Sequence, residues 1–143
     1  MARGFGLRDE GVTSMHDATE GGVLGGLTEV ASASEVGMRI DLDEIPVREE
    51  VRAVCEHVGI DPYTSISEGT LIATVVADRA DAFVGALGAA GIDSAIVGGV
   101  TQAEEGVVLV TGEGDRQLEH PGLDPFWDAF GPVSYTHLTL PTK

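Results

Sequence analysis

The stretch that most limits the fold runs from Ser14 to Ala31, SMHDATEGGVLGGLTEVA. An acid, a hydroxyl and two adjacent glycines lead straight into a helical pattern. Val23, Leu24, Leu27, Val30 and Ala31 follow the i, i+3, i+4, i+7 spacing of an amphipathic helix. The spacing predicts a helix from Val23 that ends near Ser34, before Gly37. A strand must therefore become a helix across Gly21-Gly22. The first N–H groups of a helix lack intrahelical partners, and the helix dipole adds partial positive charge there. Glycines let an anion approach those donors. Two readings stay open. The turn holds a phosphate, with Thr19 offering a hydroxyl and Asp17 holding a metal, a water or the turn itself. Or Thr19 only caps the helix, the glycines only serve the turn, and Gly25-Gly26 only permit close packing. Neither G-x-x-x-x-G-K-[ST] nor G-x-G-x-x-G is present.

The pattern downstream alternates strands with helices. GMRIDLDEIP places Met38, Ile40 and Leu42 on one face and Arg39, Asp41 and Asp43 on the other, a half-exposed strand that stops before Pro46. PVREEVRAVCEHVG reads as a helix, with Pro46 at its start and Val47, Val51, Val54, Cys55 and Val58 as its inner face. Gly59 is its expected stop. Cys55 then faces the core as a small hydrophobe rather than a nucleophile. Thr70–Ala77 is a continuous β-branched run, expected as a central strand. DRADAFVGALGAAG predicts a third helix, capped by Asp78 with Asp81 at N3, lined by Phe83, Val84 and Leu87 and ended by Gly91. DSAIVGGV and GVVLVTG flank the polar turn TQAEEG and are expected to pair as a hairpin. HPGLDPFWDAF closes the chain, with Phe126, Trp127 and Phe130 as an aromatic plug. The order β, α, β, α, β, α, β, β predicts an α/β (α+β) domain, a mixed sheet with helices packed on it.

Composition narrows the function classes. The chain has 143 residues and a formal net charge of −16. A single domain of this size buries roughly two thirds of its unfolded surface and needs no staple. One cysteine excludes an internal disulfide. The acids are dispersed, which excludes a nucleic-acid backbone binder. No apolar run reaches membrane-spanning length and no signal peptide opens the chain, so a cytoplasmic protein is expected. Lys143 is the only lysine. A dispersed acidic surface served by arginine alone suits a protein kept soluble at high salt, as in a halophilic archaeon. The segment PVSYTHLTLPTK, residues 132–143, holds three threonines and no acid and breaks with the rest. We expect it to be a non-native tail and take 1–131 as the domain.

HDATEGGVLGGLTEVA resembles the Asp-x-Thr-x-Gly-Gly signature of the AIR synthase-related (PurM-like) superfamily, where it opens the first long helix of the carboxy-terminal domain. CEHVGIDPYTSISEGTLIATV is similar to that family's second pattern, an Asn-Glu-Gly motif before an apolar strand. IVGGV and the strand after it fit a third region. The resemblance runs from Gly11 to Glu119 and is nearest to the HypE-type hydrogenase maturation proteins and archaeal AIR synthase-related proteins. It implies an ATP-dependent enzyme that activates an amide-type oxygen by phosphorylation, followed by dehydration. It also implies an amino-terminal domain, absent here, that forms a homodimer and supplies most ligands to ATP and Mg. By resemblance, Asp17, Thr19, Gly21, Gly22 and Gly69 lie near the ATP phosphates, Asp17 and Glu68 are the catalytic residues, and Glu68 acts as a base on the acceptor, a small molecule or a protein tail. His16 and His57 are expected to be structural or surface residues rather than catalysts. Three departures matter. Glu20 stands where HypE-type proteins carry arginine, Ser67-Glu68-Gly69 replaces Asn-Glu-Gly, and the terminal cysteine that carries the substrate is missing. The fragment alone is expected to be inactive. The alternative is a non-catalytic ligand-binding or dimerisation module.

Overall fold

The computed structural model describes residues 11–122 and 124–134. Its elements are β1 (Val12–Ala18), α1 (Gly22–Ser34), β2 (Gly37–Asp41), α2 (Glu49–Val58), β3 (Thr70–Val75), α3 (Ala80–Ala89), β4 (Gly98–Thr101), β5 (Val107–Val110), β6 (Arg116–Gln117) and α4 (Pro125–Ser134). The alternation follows the sequence pattern, with β6 and α4 added.

α1 begins at the glycine turn and ends at Glu35, whose φ of 53° breaks the helix. Its stripe is buried as the spacing requires, with Leu24, Leu27, Val30 and Ala31 all in the core. α1 packs against β1 and β3 and also against β5. The main core joins its stripe to Met38 and Ile40 of β2, to Ile45, and to Val107 and Leu109 of β5. Each fully buried Leu contributes about 1.5–3 kcal/mol, so this is the cluster that holds the domain.

The strands form two sheets. β1 and β3 make an antiparallel two-stranded ribbon, and the second sheet has the order β4-β2-β5-β6. The second sheet is mixed, since β2 runs antiparallel to β4 and parallel to β5. Helices pack on these sheets, as expected.

Several local expectations change. The expected hairpin does not form, because β2 lies between β4 and β5. The turn between them holds a 3-10 helix, Ala103–Glu105, with a capping box from Gln102 and Glu105. The Gly106 carbonyl at its end accepts the Met38 N–H at 2.9 Å, so the turn wraps over the start of β2. Gly37 makes this possible: a Cβ there would strike the Gln102 carbonyl and stand 2.8 Å from that of Gly106. β3 is half-exposed rather than central, because its ribbon has one partner strand and α1 covers one face. α2 presents its valines to solvent, with Val54 63% exposed. Only Cys55 of that helix is buried, as expected for a small hydrophobe. Asp78 does not cap α3. A 3-10 turn, Ala77–Arg79, precedes it, and Arg79 is the N-cap. Trp127 is 43% exposed and plugs nothing; its ring meets Phe126 edge-on at 5.5 Å. The side chain of Phe130 lies outside the described residues. The 132–143 segment falls outside them from residue 135 onward, while α4 runs through Ser134.

Candidate functional site

The ribbon brings the two sequence motifs together. In the β1–β3 register Asp17 faces Leu71 and Ala18 faces Thr70. The residues just beyond, Thr19 on one strand and Gly69 on the other, therefore meet at one end. A backbone bond closes that end, with the Ser67 N–H donating to the Thr19 carbonyl at 3.1 Å. Ser67 also donates its hydroxyl to Thr70 Oγ1 at 2.7 Å. The side chains of Asp17, Thr19, Glu20 and Glu68 are all exposed at this mouth. Asp17 shares the outer face of the ribbon with Met15, the face opposite α1. The inner face holds His16, whose Nε2 lies 2.6 Å from Glu29 of α1. His16 thus ties β1 to α1.

The turn itself is buried. Gly21 and Gly22 lie below the surface and both have positive φ, 77° and 62°. A Cβ on Gly22 would stand 2.6 Å from the carbonyl oxygens of Tyr63 and Ser65. Only glycine lets the start of α1 rest on that loop. Asp61 shapes the loop: its Oδ1 accepts the Tyr63 N–H at 2.9 Å, and its carbonyl accepts those of Thr64 and Ser65. The other two glycines serve other neighbours. Gly25 clears the Glu20 carbonyl and His120, and Gly26 clears Ile72 and His16. Close packing is therefore one use of the glycine cluster.

At the start of α1 the N–H groups of Gly21, Gly22 and Leu24 are already partnered. Thr19 is not the cap: the N-cap is Gly21, and no side chain of the helix itself closes it. The Gly22 N–H donates to the Thr19 carbonyl and the Leu24 N–H to the Tyr63 carbonyl, both at 3.1 Å. The Gly21 N–H donates to Asp124 Oδ2 at 2.8 Å. Asp124 is 1% exposed and also accepts the Phe126 N–H at 2.9 Å on its other oxygen. Sequence reasoning missed it. The dipeptide Asp124-Pro125 was the signal, a capping residue followed by proline at the first helical position. A groove of about 400 Å³ runs beside this segment, walled by Leu24, Thr64, Arg116, Leu118 and Pro121. Asp17, Thr19 and Glu68 are not among its walls.

Residues 3–111 match the family described as AIR synthase related protein, C-terminal domain. The chain belongs to this family. It is 42% identical over 107 residues to the carbamoyl dehydratase HypE of Rhizobium leguminosarum bv. viciae, covering 73% of this chain and 31% of that one. The fold matches the crystal structure of E. coli HypE, a hydrogenase maturation protein, with a TM-score of 0.73 at 36% identity, over 83% of this chain and 39% of that one. It also matches HypE in complex with ATP, with a TM-score of 0.70 at 31% identity, over 80% and 37%. The chain thus spans about a third of the curated relative's length. Among the described residues no helix is long and apolar enough to cross a membrane.

Proposed function

We propose that this chain is the carboxy-terminal part of a cytoplasmic, ATP-dependent carbamoyl dehydratase of the HypE type, acting in hydrogenase maturation as a homodimer. The observation that carries the reading is the meeting of the two motifs: the Thr19 carbonyl takes the Ser67 N–H, which sets Asp17, Thr19 and Glu68 around one exposed mouth. Likeness to a relative bound to ATP supports the nucleotide.

In this reading the acceptor is an amide-type group on a small molecule or a protein tail. Its oxygen attacks the terminal phosphorus of ATP, and ADP leaves. Glu68 takes a proton from the amide nitrogen in that step. The nitrogen then gives its second proton to the departing phosphate as the carbon–oxygen bond breaks. Phosphate carries the oxygen away, so the acceptor loses the elements of water and a carbon–nitrogen triple bond remains. Thr19 offers its hydroxyl to a phosphate oxygen. Gly21 and Gly22 shape the mouth rather than donate to phosphate, because their N–H groups have partners within the chain. Gly69, with φ 106°, lets the chain turn from Glu68 into β3.

Asp17, Glu20 and Glu68 supply oxygens of the kind magnesium takes. Among the described residues, however, no three His, Cys, Asp or Glu side chains gather closely enough to hold a metal. The donor chemistry fits magnesium only with ligands added by the nucleotide and by the longer polypeptide. Glu20 brings a negative charge where HypE-type proteins carry arginine, which favours a cation-bridged phosphate over a direct one.

The test uses the full-length protein from the uninterrupted gene. Asp17→Asn and Glu68→Gln should each reduce ATP-dependent turnover by at least about a hundredfold, the usual weight of a positioned acid–base group. Wild-type rates in both would remove the assignment. No ATP-dependent turnover in the unmutated protein would favour a non-catalytic module.

A further inference from the structure

We propose that Asp124 is a positioning residue for the mouth described above, holding the turn Thr19–Gly22 in shape by direct contact from 103 residues further along the chain. This inference rests on the reading of that mouth as the ATP-facing site.

Asp124 is the buried charged residue of the described chain. Burying a carboxylate is costly unless hydrogen bonds satisfy it. Here each oxygen has one backbone donor: Oδ2 takes the Gly21 N–H at 2.8 Å and Oδ1 takes the Phe126 N–H at 2.9 Å. The first lies at the start of α1 and the second in the first turn of α4. Two helix starts therefore converge on one carboxylate, and both dipoles favour its charge. Charge-assisted bonds of this kind are among the stronger ones in proteins.

The turn is gripped from two sides. The Ser67 and Tyr63 side uses backbone atoms alone. The Asp124 side depends on one side chain, so it can be switched off by substitution. The segment that carries Asp124 is itself tethered. His120 Nδ1 accepts the Gly122 N–H at 3.1 Å, which leaves Nε2 to face Glu29 of α1 at 3.6 Å. Glu29 also takes His16 of β1, so the ribbon, α1 and the closing segment share one carboxylate. Asp124 lies beyond residue 111, where the family match ends. The shape of a turn inside the family core is thus set by a residue outside it.

Two variants of the full-length protein test this. Asp124→Ser keeps an oxygen for the Phe126 N–H but is too short to reach Gly21. Asp124→Asn keeps the length and one acceptor. The serine variant should raise the KM for ATP on the order of tenfold, the effect of losing one charge-assisted hydrogen bond. Its kcat should change by less than about twofold, since the contact is equal in the ground and transition states. The asparagine variant should fall between it and the wild type. Without ATP, amide hydrogen exchange at Gly21 should speed up in the serine variant while exchange in the core of α1 stays slow. Unchanged exchange at Gly21 would overturn the proposal, as would faster exchange with an unchanged or lower KM. Should the serine variant not fold, the same two measurements on the asparagine variant decide the proposal in the same way. Wild-type behaviour of Asp17→Asn and Glu68→Gln would instead overturn the ATP-facing reading. The Gly21 exchange would then still report whether Asp124 holds the turn.

Discussion

α1 and α2 carry comparable apolar stripes in sequence but have opposite fates in the fold. The stripe of α1 is buried between the ribbon and the four-stranded sheet. The stripe of α2 keeps Val51, Val54 and Val58 exposed and sinks only Cys55. Periodicity states that a face is apolar; it does not state that anything will cover it. The difference lies in the neighbours. Glycines let a loop, the ribbon and the closing segment approach α1 closely, and α2 has no such set.

Substitutions can break or sharpen this contrast. The largest effect is expected in the shared core: Leu24→Ala or Leu109→Ala should cost about 3–5 kcal/mol, read as a lower urea midpoint at constant slope. Gly22→Ala should cost about 3 kcal/mol, because it adds left-handed strain to a clash with two backbone carbonyls. Cys55→Ala should cost about 1 kcal/mol, as one small buried group. Val54→Ser should stay within about 0.5 kcal/mol, because its side chain is already in water. A loss above about 1.5 kcal/mol at Val54 would mean that the α2 face is covered in solution and would erase the contrast. Smallest of all, removing the exposed Arg39–Asp115 pair by Asp115→Asn should cost only about 0.2–0.4 kcal/mol and vanish in high salt.

The surface charge gives a separate expectation. A net charge of −16 repels itself in dilute buffer. Raising sodium chloride from about 0.1 M to about 2 M should raise the thermal midpoint if the chain is adapted to salt. An unchanged midpoint would leave a merely acidic protein.

Much of the fold was legible because it is local. The stripe of α1, its end near Ser34, the Gly59 and Gly91 stops and the buried Cys55 all follow from short-range spacing and are present. The hairpin was misread because neighbouring strands usually pair, and nothing between Gly98 and Val110 announces that β2 will insert. The α3 cap was misread because a 3-10 turn competes with Asp78 for the same backbone groups. At the site, the juxtaposition of Thr19 and Ser67 follows the two motifs. Asp124 does not, since a capping dipeptide tells which helix it starts but not which distant amide its second oxygen will take.

The contact between Gly21 and Asp124 spans 103 residues of chain. The ribosome delivers a chain from its first residue to its last. The glycine turn is made early, yet its final partner emerges only near the end of the described chain. Until then the mouth at Thr19 and Glu68 lacks one of its two grips. A chain released short of Asp124 would keep both motifs and the core of α1 while leaving the turn half held.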